Sequence, residues 1–144
     1  MKKINKRRET LERICKELEV AMLYAFGSQA QKVRDWVEEL GQDLRTDPSD
    51  VDIGVKGILG KEWPVKDEVR LSIALEDLFD CGRVDLVLLS EADPFLAAEI
   101  IRGERLFAYD EYEADEYELY VLRRAGDLAP LERERMALIL GEPQ

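Results

Sequence analysis

The 144-residue sequence predicts an α/β (α+β) domain with helices packed on one small sheet. Three observations carry that prediction. Two short apolar runs rich in β-formers, Val20–Phe26 and Val84–Leu89, have the length and continuity of strands covered on both faces. A third run, Asp50-Val51-Asp52-Ile53-Gly54-Val55, alternates polar and apolar residues, as a strand with one packed face does. Amphipathic stretches of helical period separate the three.

In chain order, Leu11, Ile14, Cys15 and Leu18 mark a first helix ahead of the Val20–Phe26 strand. Val33, Trp36, Val37 and Leu40 mark a second, with Gly41 as its stop and a loop from Gly41 to Pro48. After the Asp50–Val55 strand, Pro64 suits a first helical position, and the helix behind it is read with Val69, Ile73 and Phe79 on one side. Beyond the Val84–Leu89 strand, Asp93 caps a helix that opens at Pro94 and stops at Gly103. Leu106–Tyr109 reads as a short edge strand, and two further helices are expected over about 110–124 and 130–140. No repeat, low-complexity tract or linker interrupts residues 1–144. They are read as one domain, with a core over about 20–109 and C-terminal helices over about 110–140.

Composition narrows the chemistry. Charged residues make up 37% of the chain, and 32 acids against 21 bases give a net charge of −11. Such a surface repels a phosphate backbone, so direct nucleic-acid binding is not expected. The absence of histidine removes histidine general bases, histidine triads and histidine-ligated metals together. Cys15 and Cys81 are isolated thiols without CxxC spacing, as in a reduced, cytoplasmic protein. The basic start (Lys2, Lys3, Lys6, Arg7, Arg8) lacks the apolar stretch of a secretory signal and reads as a solvated helix start. The longest apolar run is far short of the roughly 18 residues a membrane span needs, so no membrane partner is expected.

The polar residues inside the strands are the informative ones. Asp50 and Asp52, two apart, project from one face, while Val51, Ile53 and Val55 take the packed face. Asp85 interrupts an otherwise apolar strand, where an unpaired carboxylate costs several kcal/mol. Three carboxylates meeting at a point need a cation, and hard oxygen donors suit Mg²⁺. Each fragment also has a plainer reading. Alternation marks any half-exposed strand, and Asp85 could pair with Arg83 or Arg102. Gly27-Ser28 could be an ordinary turn with Ser28 as a helix cap. The order raises the combination above its parts: strand, Gly-Ser, helix, paired aspartates on a second strand, one more aspartate on a third.

In that order the sequence resembles the nucleotidyltransferase superfamily of DNA polymerase beta, and within it the minimal nucleotidyltransferase (MNT) branch. The resemblance rests on Tyr24–Ala30, Ser49–Val55, Arg83–Leu88 and Ile100–Phe107, and spans roughly Val20 to Tyr109. It implies the polymerase-beta-like fold with a mixed sheet, and Gly27 and Ser28 holding the triphosphate of ATP. It implies Asp50, Asp52 and Asp85 as catalytic residues ligating Mg²⁺, with Asp85 also helping to activate the attacking hydroxyl. The sequence departs from the pattern twice: residues 29–49 put 21 positions between Ser28 and Asp50, and Gln31 stands where a basic residue is common. Lys32 or Arg34 is then the residue expected to counter the triphosphate.

The resemblance also implies a partner. Proteins of this branch are paired with a HEPN-domain ribonuclease toxin, and as antitoxins transfer AMP from ATP to a toxin tyrosine. The −11 charge suits docking on a basic RNA-binding surface. Residues 109–120, with six carboxylates among four tyrosines, read either as an interface or as a solvated helix face. Two other functions stay open: a non-catalytic antitoxin that masks the toxin by binding, and an adenylyltransferase of a small-molecule alcohol. For the latter, the 29–49 stretch or a homo-oligomer could build the acceptor pocket.

Overall fold

In the computed structural model, residues 4–40 and 50–141 are described. The expected Gly41 helix stop, the Gly41–Pro48 loop, and Lys2 and Lys3 of the basic cluster lie outside them. A four-stranded mixed sheet organises the chain: β1 (Val20–Phe26), β2 (Val51–Gly57), β3 (Val84–Leu88) and β4 (Glu104–Ala108), in the order β3-β2-β1-β4. β1 runs antiparallel to β2 and β4, while β2 and β3 are parallel. Parallel neighbours need a crossover, and helix α3 (Val65–Phe79) supplies it.

Helices cover both faces. Helices α1 (Lys6–Glu17), α2 (Ala30–Val37) and α3 pack with Leu23, Ala25, Ile53 and Val55 into one core. Helices α4 (Pro94–Ile101) and α5 (Glu111–Leu140) pack on Met22, Tyr24 and Phe26 on the other side. The alternation of β1 between the two cores explains why every one of its seven residues is buried.

Local chemistry sets the helix starts. The Asn5 side chain accepts the Arg8 N–H at 2.9 Å to open α1. Asp93 accepts the N–H groups of Phe95 and Leu96, both at 2.9 Å, with Pro94 at the first turn of α4 as its sequence implies. Among the described residues no helix is long and apolar enough to cross a membrane.

Several sequence expectations change. The α3 face with Val69 and Ile73 points to water (48% and 53% exposed), and Phe79 instead shares the buried stripe of Leu71 and Leu75. Both stripes have helical spacing, so periodicity alone could not choose between them. β3 is a sheet edge whose three central residues are only partly buried, although Leu86 and Leu88 pack into one core and Val87 and Leu89 into the other. The two expected C-terminal helices are one, α5, with Pro130 inside it. The basic start of α1 is not merely solvated. The Arg7 guanidinium lies 3.5 Å over the Trp36 ring and donates to the Trp36 carbonyl, while Arg8 donates to the Leu106 carbonyl and to Glu38.

The acid-and-tyrosine stretch at the start of α5 divides in two. Arg105 on β4 gathers Glu111, Asp115 and Glu118 at 2.6–2.9 Å. Glu118 also accepts the hydroxyl of the fully buried Tyr24 at 2.8 Å. Half of the carboxylates expected to face a partner therefore bind the helix to its own sheet. Tyr109, Tyr112 and Tyr120 stay exposed, while Tyr117 is half-buried beneath Lys56.

Candidate active site

The site is assembled where β1 ends and where β2 and β3 begin. β1 terminates at Phe26 and the chain turns at once through a 3₁₀ segment, Gly27–Gln29, into α2. Gly27 has φ +76°, in the left-handed region where a side chain is strained. A Cβ at Gly27 would also stand 2.7 Å from the Asp52 Oδ2. The missing side chain is thus what lets the turn and the carboxylate meet. Ser28 is exposed on this turn. It does not cap α2 as expected, because the 3₁₀ turn intervenes and Gln29 holds the cap position without a side-chain bond to the helix. The N-terminus of α2 therefore opens toward the turn with its positive dipole end.

Register does the rest. Phe26 pairs with Asp52 across β1–β2, and Asp52 pairs with Asp85 across β2–β3, so the three stand in one row. Val51, Ile53 and Val55 are buried in the opposite core, leaving Asp52 half-exposed on the face covered by α4. Gly54, next on that face, is overlain by Ile100 of α4, where any Cβ would collide with its side chain. Gly103 performs the same service one turn later. A Cβ there would strike the Ala25 carbonyl, so glycine seats the α4–β4 turn directly against β1.

Burial, the first cause, together with the negative charges of Asp85, Asp50 and Glu99, raises the Asp52 pKa above the usual carboxylate range. Asp50, exposed just before β2, thus acts on Asp52, and so does Glu99 of α4. Glu99 was not singled out in the sequence, because nothing local signals it; only the packing of α4 brings its charge to the row. Asp85 takes one of the partners its sequence context offered, with Arg83 Nε 3.0 Å from its Oδ1. Lys32 lies half-exposed in the first turn of α2. Arg34, the other candidate counter-charge, faces Asp35 at 3.4 Å and Glu104 at 3.8 Å.

Among the described residues no three acidic or thiol side chains are close enough to form a finished metal cage. What is present is an open set of hard oxygen donors whose mutual repulsion a divalent cation would relieve. That chemistry fits Mg²⁺, which accepts one or two carboxylates and completes its shell with water and phosphate oxygens. The stretch that lengthens the Ser28–Asp50 connection does not crowd this mouth within α2. Its Trp36 Nε1 donates to the Leu78 carbonyl at 2.9 Å, and Asn5 donates to the Val37 carbonyl, so α2 is pinned between α1 and α3.

A glycine turn at the end of one strand thus faces aspartates in register on the next two. The chain matches the polymerase beta nucleotidyltransferase family over residues 9–112, and it belongs to that family. Solved structures share the fold. One is a toxin–antitoxin complex with AMP-PNP (19% identity, 92% of this chain and 94% of that one, TM-score 0.62). Another is a tri-AMPylated HEPN toxin of Shewanella oneidensis in complex with MNT antitoxin (18% identity, 92% of both chains, TM-score 0.60). A third, described as a minimal nucleotidyltransferase, is 28% identical over 68% of this chain and 86% of that one, with a TM-score of 0.50. No significant match was found among curated proteins.

Proposed function

We propose that this chain is a Mg²⁺-dependent antitoxin that transfers AMP from ATP to a tyrosine of a HEPN ribonuclease toxin. The observation that carries the reading is the row Phe26–Asp52–Asp85 beside the Gly27 turn, which brings the turn and the carboxylates together. Gly27 and Ser28 hold the triphosphate at the open end of α2, and Lys32 counters its charge. Asp50, Asp52 and Asp85 would share the ligation of Mg²⁺ with the ATP phosphates, and the ion would supply neutralisation of the phosphate charge. Asp85 receives the proton of the attacking hydroxyl. The tyrosyl oxygen bonds to the α-phosphorus as the bond to the bridging oxygen breaks, and pyrophosphate leaves. Such transfer rests on positioning and charge neutralisation, so the lack of histidine is no obstacle.

Incubation with α-labelled ATP, Mg²⁺ and a HEPN ribonuclease toxin tests the reading. Label on the toxin that disappears with Asp52→Asn is the expected result; no label at any Mg²⁺ concentration overturns it. One observation favours a second reading. The Arg83–Asp85 ion pair occupies the third carboxylate, as it would in an antitoxin that neutralises by binding alone. Toxin neutralisation without label, unchanged by Asp52→Asn, would select it.

A further inference from the structure

A cleft of about 190 Å³ opens between α5, the start of α4 and the far ends of β2 and β3. Asp52, Gly54 and Lys56 alternate onto one face of β2, and Lys56 lines the cleft. Four residues of strand put Lys56 roughly 13 Å from Asp52. The Val55–Leu88 pairing carries the same offset to β3, which runs on into Leu89 and Ser90 at the cleft wall. The acidic row and the cleft therefore stand at opposite ends of the same two strands.

The charge of the cleft is unlike that of the chain. Acids outnumber bases by 32 to 21, and four other clefts each contain a carboxylate, from Glu12, Glu17, Glu113 and Glu134. No residue lining this one is acidic, and two are cations, Lys56 and Arg124. Asp93, between Ala92 and Pro94 of the wall, turns its side chain to the Phe95 and Leu96 N–H groups. Lys56 rests 5.4 Å over the Tyr117 ring, and among the described residues neither cation has a carboxylate within ion-pair distance. A half-buried ammonium on the covered face of a strand keeps part of its desolvation penalty until an anion reaches it.

The remaining walls are apolar and flat. Tyr117, Tyr120, Val121 and Arg124 recur at helical spacing, so α5 presents two rings, an aliphatic group and a guanidinium as one stripe. The ring centroids are 6.4 Å apart, and nearly buried Leu89, Ala97 and Val121 supply the apolar inner surface. Such walls favour a planar ring, and the cations select a negative group upon it. Arg124 begins about 10 Å along α5 from Tyr117, a gap its long side chain can cross toward Lys56. The volume is below the roughly 300 Å³ at which drug-sized sites begin, so the ligand has one or two rings and is smaller than a nucleotide.

We propose that this cleft binds a small aromatic carboxylate, its ring against Tyr117 and Tyr120 and its charge toward Lys56 and Arg124, with the Ser90 hydroxyl as a further donor. The experiment is NMR of the full ¹⁵N-labelled chain, titrated with indole-3-acetate up to about 10 mM. Indole-3-acetamide and tryptamine serve as neutral and cationic forms of the same ring. Shifts with the carboxylate should gather in residues 89–97 and 117–124 and saturate with a Kd of about 0.1–2 mM, as a ligand of about a dozen heavy atoms allows. The acetamide should bind at least about fivefold more weakly, and tryptamine should leave the cleft unshifted. Lys56→Met and Arg124→Met should each weaken the carboxylate by about fivefold or more while holding the acetamide within about twofold. The charge series is read on the wild type, so it decides the matter even where a variant fails to fold. Absent shifts, equal affinity for the three compounds, shifts centred on Gly27 and Asp52, or folded variants that bind the carboxylate as the wild type does would each overturn the proposal.

Discussion

Asp52 and Asp85 stand opposite each other on one rung of the parallel β2–β3 pair, and the pKa of Asp52 is raised in part by the charge of its neighbour. The protein therefore carries repulsion at the place where its chemistry is proposed to occur, a cost that binding of a cation would convert into affinity.

Replacing Asp52 should expose that cost. Its carboxyl is protonated more readily in the folded state than in the unfolded chain. Stability from this group is therefore fully present at pH below the ordinary carboxylate value of 3.8 and is lost as pH rises through the higher folded value. At pH 7 Asp52→Asn should be more stable than wild type. With solvent screening of a half-exposed group, the gain is about 1 kcal/mol or less, roughly 1–3 °C in Tm. Thermal melts at pH 7 and below pH 3.8 check the sign, because the advantage should vanish in acid. AMP transfer should fall by at least about 100-fold in the same variant, whose charge contact with Mg²⁺ is gone.

Mg²⁺ with a non-hydrolysable ATP analogue should raise the Tm of the wild type, since a ligand that binds only the folded chain adds RT ln(1 + [L]/Kd). Melts with and without the pair should show a gain of about 5–11 °C at 100 Kd in wild type, and most of it missing in Asp52→Asn.

At Gly27 any side chain meets both the positive φ and the Asp52 oxygen. Gly27→Ala should cost roughly 1–3 kcal/mol in urea unfolding and should abolish nucleotide binding, which isothermal titration can follow.

Tyr24 ties β1 to α5 through Glu118, and Arg105 holds the same carboxylate. Tyr24→Phe should cost about 1–2 kcal/mol, the price of a lost bond to a charged acceptor in a buried setting. Arg105→Ala should cost more, because it strands Glu118 near a buried hydroxyl. A double-mutant cycle by urea denaturation should show the two losses to be non-additive.

Cys15 is fully buried, and burial pushes its thiol up to about 12. Ellman's reagent at pH 8 should label only Cys81 in the native protein, slowly because burial raises that thiol too, and both cysteines after denaturation.

Strand β1, the Asp93-Pro94 helix start and the alternation of β2 were legible because each depends on neighbours in the chain: apolar continuity, a cap with its proline, a two-residue period. The face of α3 was not, since Val69 and Leu71 belong to stripes of equal local merit and only packing against α1 and the sheet selects one. Nor was the union of the two C-terminal helices foreseeable, because Pro130 is a breaker by local rules and yet lies within a single continuous helix.

The site divides along the same line. Residue chemistry and order nominated Gly27, Ser28, Asp50, Asp52 and Asp85, because their succession along the chain is more specific than any one fragment, each of which also reads as an ordinary turn or half-exposed strand. Only the tertiary structure decided that Asp52 and Asp85 share a rung, that Arg83 holds Asp85, and that Glu99 adds its charge to the row. Strand register and helix docking are set by contacts between residues far apart in the chain, and no local pattern encodes which of them will meet.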